Sequence, residues 1–333
     1  MALFISRFSG VVPWRLAMAL ATMVAAWLAC AFYTFEFDPE LGTIHYVYRQ
    51  KLAFARQLDQ SPTPKMVFAG GSSCAHQINT ELLNGTYRLP SVNLGQNAGL
   101  GFYVNTAIGI SQVRPGDSLV LAIEPSTFAD ATITKLGYEF TATTRVPKLR
   151  AGLAILGANF TRREEINAMR PGLYHLVTLM AKIALRQPLD RMKPTDLKPD
   201  GYEDVTDRRN LVGLQAGPVE LPPATQQALR QLVTWAAQNH VRVAYLMPWG
   251  YYHPGDEAKA RIYNREFLLK MASIMPVLRD EKLGVWDRVQ DFADTEVHLD
   301  PDGAARRTEY LAPILTQWQT FDRSELADSG KPQ

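Results

Sequence analysis

The chain is poor in cysteine, has no surplus of either charge and carries no histidine cluster. Each shortage removes a class of protein. Its two cysteines, Cys30 in an apolar run and Cys74 beside a serine, do not make a disulfide framework. Lys and Arg number 35 against 33 Asp and Glu, a net charge of +2, without the concentrated basic face that nucleic acid requires. His45, His76, His175 and His240 show no metal-ligand spacing, so neither a metal nor a cofactor is expected. There is no internal repeat. What remains, 333 residues at 47% hydrophobic and 20% charged, is the composition of a globular protein that can bury one large core.

One apolar run is exceptional. Residues 16–35 are twenty positions without a charge, about 30 Å as a helix at ~1.5 Å per residue, which matches a hydrocarbon core. Arg7 and Arg15 precede the run, and Glu36, Asp38 and Glu40 follow it. The positive-inside rule then leaves residues 1–40 as a cytoplasmic N-terminus and signal anchor in the inner membrane, with residues 41–333 periplasmic or extracellular. A cleaved signal peptide at Ala29-Cys30-Ala31 is the rival reading, and a lipidated Cys30 a third. All three place the rest of the chain outside the cytoplasm.

The exported part alternates strand and helix. Residues 41–60 have helical spacing and end at Ser61-Pro62-Thr63-Pro64. Short apolar runs at 65–69, 91–94, 118–123 and 241–247 read as strands, with a fifth at 284–286. They do not alternate, as expected of strands buried on both faces. Helices are expected over 101–113, 222–239 and 261–275 and from Pro301 onward. Residues 140–215 read as a helical insertion or cap. The expected fold is α/β, a mainly parallel sheet with helices on both faces.

Ligands of such sheets bind at the carboxyl ends of the strands. Gly70-Gly71-Ser72-Ser73, Asn93 through Gly99, and Glu124-Pro125-Ser126 fall there, and Asp294 through Leu299 precedes the last helix. In this order the blocks resemble those of the SGNH, or GDSL-like, hydrolase superfamily. Gly71-Ser72-Ser73 stands for the Gly-Asp-Ser block and Asn93 to Gly99 for the glycine block. Asp294, His298, Leu299 and Gly303 stand for the C-terminal block. The chain is similar in particular to exported, anchored members linked to polysaccharide O-acetylation and teichoic-acid D-alanylation.

The resemblance implies a three-layer fold, Ser73 as nucleophile, His298 as base and Asp294 as the group orienting it. Ser72 is the alternative nucleophile. Backbone N–H groups at Ser73 and in the Ala98-Gly99 turn would receive the oxyanion. Two positions depart from the family pattern. Glu124 stands where an Asn donor is usual, and an ionised carboxylate repels an oxyanion, so it must be protonated, turn away or serve another role. Asn97 could replace that donor. Asp294 lies four residues before His298 rather than three, a spacing that a shared helical face would tolerate.

Simpler roles stand beside these. Ser73 could cap a helix, Cys74 fill a core, and Asn93 fix a turn. Trp249, Tyr251, Tyr252 and His253 could stack on sugar rings or pack on their own scaffold. The expectation is an acyl, specifically acetyl, transferase or esterase acting on a cell-surface or exopolysaccharide, with a membrane-bound acyl-transfer partner implied by the resemblance. A non-catalytic subunit of a polysaccharide assembly complex is the alternative, and a plain lipase or carboxylesterase a third.

Overall fold

The computed structural model describes residues 11–37, 39–129, 132–144, 146–158, 160–161, 163–164, 180–186 and 196–328. It divides into two compact units, 1–43 with 161–191, and 44–160 with 192–333. Parts of the expected insertion, 165–179 and 187–195, lie outside the described residues.

The first unit holds α1 (Val11–Phe37), longer than the apolar run that suggested it. Pro13–Cys30 within it is long and apolar enough to cross a membrane. Its side chains, Trp14, Leu16, Leu20, Met23 and Leu28 among them, are exposed, which suits a helix without a protein core to enter.

The second unit is α/β. Four strands, β1 (Met66–Gly70), β2 (Ser91–Asn93), β3 (Ser118–Ala122) and β4 (Arg242–Tyr245), form one parallel sheet in the order β2-β1-β3-β4. In register, Val67 faces Val92 on one side and Leu119 on the other, and Leu119 faces Val243. The helices are α2 (Pro39–Leu58), which begins in the first unit, α3 (Ser72–Gln77), α4 (Thr80–Gly85), α5 (Gly101–Ile110), α6 (Lys135–Thr144), α7 (Pro147–Ile155), α8 (Pro223–Gln238), α9 (Glu257–Ala272) and α10 (Pro301–Asp328).

Successive strand residues point to opposite faces, and both sets are covered. Phe68, Val120, Ala122, Ala244 and Leu246 pack with Leu83 of α4 and with Leu311, Ala312 and Leu315 of α10. The alternate set meets α5, where Gly109 leaves no room for a side chain against Ala69 and Leu119. Tyr245 sits edge-on to Phe128 and Phe267. This is why the strands read as unbroken apolar runs. The start of the expected insertion is part of this packing: Leu149 and Leu153 of α7 are buried, and Gly152 abuts Ala107 of α5.

The fifth strand does not form. Residues 284–286 make one isolated bridge, Gly250 to Val285. Leu283 and Gly284 both have positive φ, 53° and 70°, a conformation no strand adopts, and Lys282 N–H is held in a turn by Asp280.

At the rim opposite the candidate site, a buried ion pair ties β1 to β3. Lys65 Nζ is 2.5 Å from Asp117 Oδ2, and Asp117 Oδ1 accepts Lys65 N–H at 2.9 Å. Lys65 Nζ keeps a second partner, Asp59 Oδ1 at 2.6 Å, so what Asp117 alone satisfies is one side of the buried ammonium and the N–H groups of Lys65 and Arg114. Asp117→Ala is therefore expected to destabilise the fold by about 1–3 kcal/mol, read as a lower urea midpoint of the full chain in detergent.

Candidate active site

The site begins where β1 runs into α3. A Cβ on Gly70 would lie 1.9 Å from the Ala122 carbonyl oxygen, and one on Gly95 would lie 2.4 Å from Ala75 N. These positions admit only hydrogen, and that lets β1, β3 and the turn after β2 close together. A Cβ on Gly71 would meet Glu124 Oε2 at 3.0 Å and Ala98 Cα at 3.1 Å, so three of the sequence blocks converge around this residue. Asn93 secures the turn: its amide donates to the carbonyls of Cys74 and Ile78 at 2.8 Å, and its oxygen accepts Gly95 N–H at 2.9 Å.

Ser72 and Ser73 are the first residues of α3, and neither caps it, since the cap position belongs to Gly71. Ser73 is fully buried. Its N–H donates to Glu124 Oε1 at 3.2 Å, while its Oγ has no hydrogen-bond partner. Ser72 is half-buried. Cys74 is buried beside them, and burial pushes its thiol up to about 12, which removes it as a nucleophile.

His298 and Asp294 come together by a route other than the expected helical face. An antiparallel bridge between Phe292 and Leu299 closes a tight loop, with Ala293 N–H donating to the His298 carbonyl at 2.9 Å. Inside it, His298 Nδ1 lies 2.8 Å from Asp294 Oδ1. The hydrogen bond from His298 holds the Asp294 carboxyl below its ordinary range, against the burial that raises it. The carboxylate thus orients the imidazole and leaves Nε2 as the proton-accepting atom.

Two residues that the sequence did not single out bind this loop to α3. The His76 ring lies 4.5 Å from the His298 ring, one helical turn beyond Ser73. Gln77 donates to the carbonyls of Trp249 at 2.6 Å and Val297 at 2.7 Å, and accepts Trp249 N–H at 2.8 Å. Ser73 and the His298–Asp294 pair thus share one end of the sheet, without a hydrogen bond from Ser73 Oγ to His298. His76 is held from behind. Its Nδ1 bonds the Glu203 carbonyl at 2.9 Å, Glu203 N–H donates to the Ala75 carbonyl, and the Glu203 carboxylate pairs with buried Lys51 at 2.5 Å. Lys51 Nζ also donates to the Gly95 carbonyl. A lysine inside the buried stripe Tyr48, Leu52, Ala55 of α2 was the legible sign of this network.

The other expected contributors lie apart from an open site. Asn97 is exposed and accepts Gly99 N–H at 2.7 Å, so the Gly99 donor is committed to its own turn. Trp249 is 1% exposed and stacks on Trp286 at 4.2 Å and 14°. Its indole N–H donates to Asp280, and the Arg307 guanidinium lies 4.7 Å from its ring. It is a core residue and offers no face to a sugar. Tyr251 is half-buried near Phe292, and Tyr252 accepts from Asn264 Nδ2 at 3.1 Å. His253 is exposed. Among the described residues, no three His, Cys, Asp or Glu side chains gather in a way that would hold a metal.

Burial and the neighbouring His298 lower His76 from an ordinary value of 6.5 to about 4. Because the unfolded chain takes up this proton first, folded-state stability is lost as pH falls from 6.5 towards 4. The loss is on the order of 2–3 kcal/mol, so His76→Gln should flatten the fall in urea midpoint between about pH 7 and about pH 4.5.

Compared with known proteins, the chain matches no family model, no curated protein and no solved structure.

Proposed function

We propose that this chain is an SGNH-like acyl-ester enzyme with a three-layer catalytic domain, anchored by α1 in the inner membrane and facing outward. It would transfer or hydrolyse an acyl group, in first place acetyl, on a cell-surface or exopolysaccharide. The observation that carries the reading is the Asp294–His298 pair, 2.8 Å apart, joined through His76 and Gln77 to the same short helix that carries Ser73 in its first turn. A carboxylate and an imidazole in a loop tied to the helix that carries a serine are the kinds of group acyl transfer requires.

In this mechanism the Ser73 hydroxyl turns towards His298 and attacks the acyl carbonyl carbon. Its proton passes to His298 Nε2, and Asp294 stabilises the imidazolium. When the tetrahedral intermediate collapses, the ester C–O bond breaks and the leaving alkoxide takes that proton, which leaves acyl-serine. A sugar hydroxyl or water then gives its proton to His298 and attacks the acyl carbon; the bond from that carbon to Ser73 Oγ breaks, and Oγ takes the proton back from His298. A membrane-bound acyl-transfer partner would supply the donor, and Ser72 is the alternative nucleophile.

The alternative, a non-catalytic subunit that binds polysaccharide in an assembly complex, draws on one observation. Ser73 Oγ is wholly buried, and its N–H is already given to Glu124.

A chromogenic acetyl ester, offered to the full chain in detergent with and without an acceptor oligosaccharide, separates the two. Ser73→Ala and His298→Ala are each expected to lower turnover by about 10³-fold or more. Product appearing on the acceptor identifies a transferase, and a rate equal in wild type and Ser73→Ala would defeat the acyl-serine reading. Carbonate washing is expected to leave the chain in the membrane fraction, and removal of residues 1–40 to release it. Release of the intact chain would count against the anchor.

A further inference from the structure

The end of β3 sets a carboxylate where acyl chemistry calls for a donor. Glu124 is buried, and its Oε1 already accepts the Ser73 N–H at 3.2 Å. Its Oε2 has no hydrogen-bond partner and lies 3.0 Å from where a Cβ on Gly71 would be, with Ala98 on the same flank. The backbone segments that close around Ser73 therefore close around this carboxylate as well. The second backbone donor expected there, Gly99 N–H, points to Asn97 Oδ1 at 2.7 Å. An ester attacked by Ser73 Oγ develops its negative oxygen beside Ser73 N–H, and that N–H cannot serve two negative oxygens.

We propose that Glu124 is the controlling residue of the reaction: its carboxylate occupies the oxyanion position and must leave the Ser73 N–H before an ester can react. This rests on Ser73 being the nucleophile. The buried, unpartnered Oε2 defines what draws the carboxylate away once the corner opens. A hydrogen-bond donor satisfies it, so a substrate or acceptor that brings a hydroxyl to this corner speeds the reaction, and a small ester without one reacts only in the fraction of molecules whose carboxylate has already left the Ser73 N–H, at a rate that still depends on Ser73. The same contact explains how a chain with an ordered Asp–His pair holds its serine N–H in a dead end.

Two substitutions test this in the full chain in detergent. Glu124→Gln keeps the volume and can keep the Ser73 contact through its carbonyl, while the other corner changes from acceptor to donor. Glu124→Asn is shorter and frees the Ser73 N–H. Hydrolysis of a chromogenic acetyl ester and covalent labelling of Ser73 by a fluorophosphonate are measured for wild type and both variants, each with and without Ser73→Ala, and thermal unfolding confirms the fold. The expected result is a rise of about tenfold or more in both readouts in at least one variant, abolished by Ser73→Ala, since one oxyanion donor is worth on the order of 10²–10³ in rate. If wild type turns over with dependence on Ser73 and both folded variants are equal or slower, the block is wrong and the enzyme reading stands. If no folded protein labels or turns over, the nucleophile assignment falls, and the block falls with it.

Discussion

The site depends on the contact between the ends of β1 and β3. At Gly70 the two backbones are so close that a single added carbon would lie 1.9 Å from the Ala122 carbonyl oxygen. Parallel strands run apolar to their carboxyl ends, and the chain must then leave the sheet at once. Here it leaves through Gly70 and Gly71 directly into α3, and Gly95 allows the turn after β2 to settle on Ala75. A bulkier residue at Gly70 would push α3 off the sheet, and every group arranged around α3 would move with it.

That short helix cannot satisfy itself. It has six residues, and its His76 and Gln77 side chains are completed by segments distant in sequence. Gln77 takes both backbone groups of Trp249 and the carbonyl of Val297; His76 takes the carbonyl of Glu203, which Lys51 in turn neutralises. Buried polar groups are stable only when each has a partner, and each partner that is required specifies where a remote loop must sit. Thus the network that meets this demand also sets His298 against His76 and fixes the height of the Asp294–His298 loop above the sheet.

One residue of the region serves the scaffold more than any ligand. Trp249 lies between Trp286 and Arg307 and shares the loop core with Phe292, Leu299 and Ala304. Glu124 stands in the opposite relation to its surroundings. It is a buried carboxylate with one oxygen on the nucleophile's own N–H and the other without a partner. The enzymatic and the non-catalytic readings differ over this contact and over Ser73 Oγ, which is buried and makes no hydrogen bond to His298.

The sequence by itself determined the apolar N-terminal helix, the four strands at 65–69, 91–94, 118–123 and 241–247 to within a residue or two, and the order of the blocks at their ends. These are local properties: uninterrupted apolar runs, glycine at turns, and proline or Asn where a strand must stop. It did not exclude the false strand at 284–286, where apolar residues follow a backbone whose positive φ at Leu283 and Gly284 no propensity records. Nor could it show that Asp294 reaches His298 through a loop closed by Phe292 and Leu299, that Trp249 is core, or that Gln77, His76, Glu203 and Lys51 form one network. Those are decided by contacts across as many as 220 residues. Whether a tryptophan is buried or a carboxylate finds a donor depends on what the rest of the chain brings beside it, and only tertiary structure settles that.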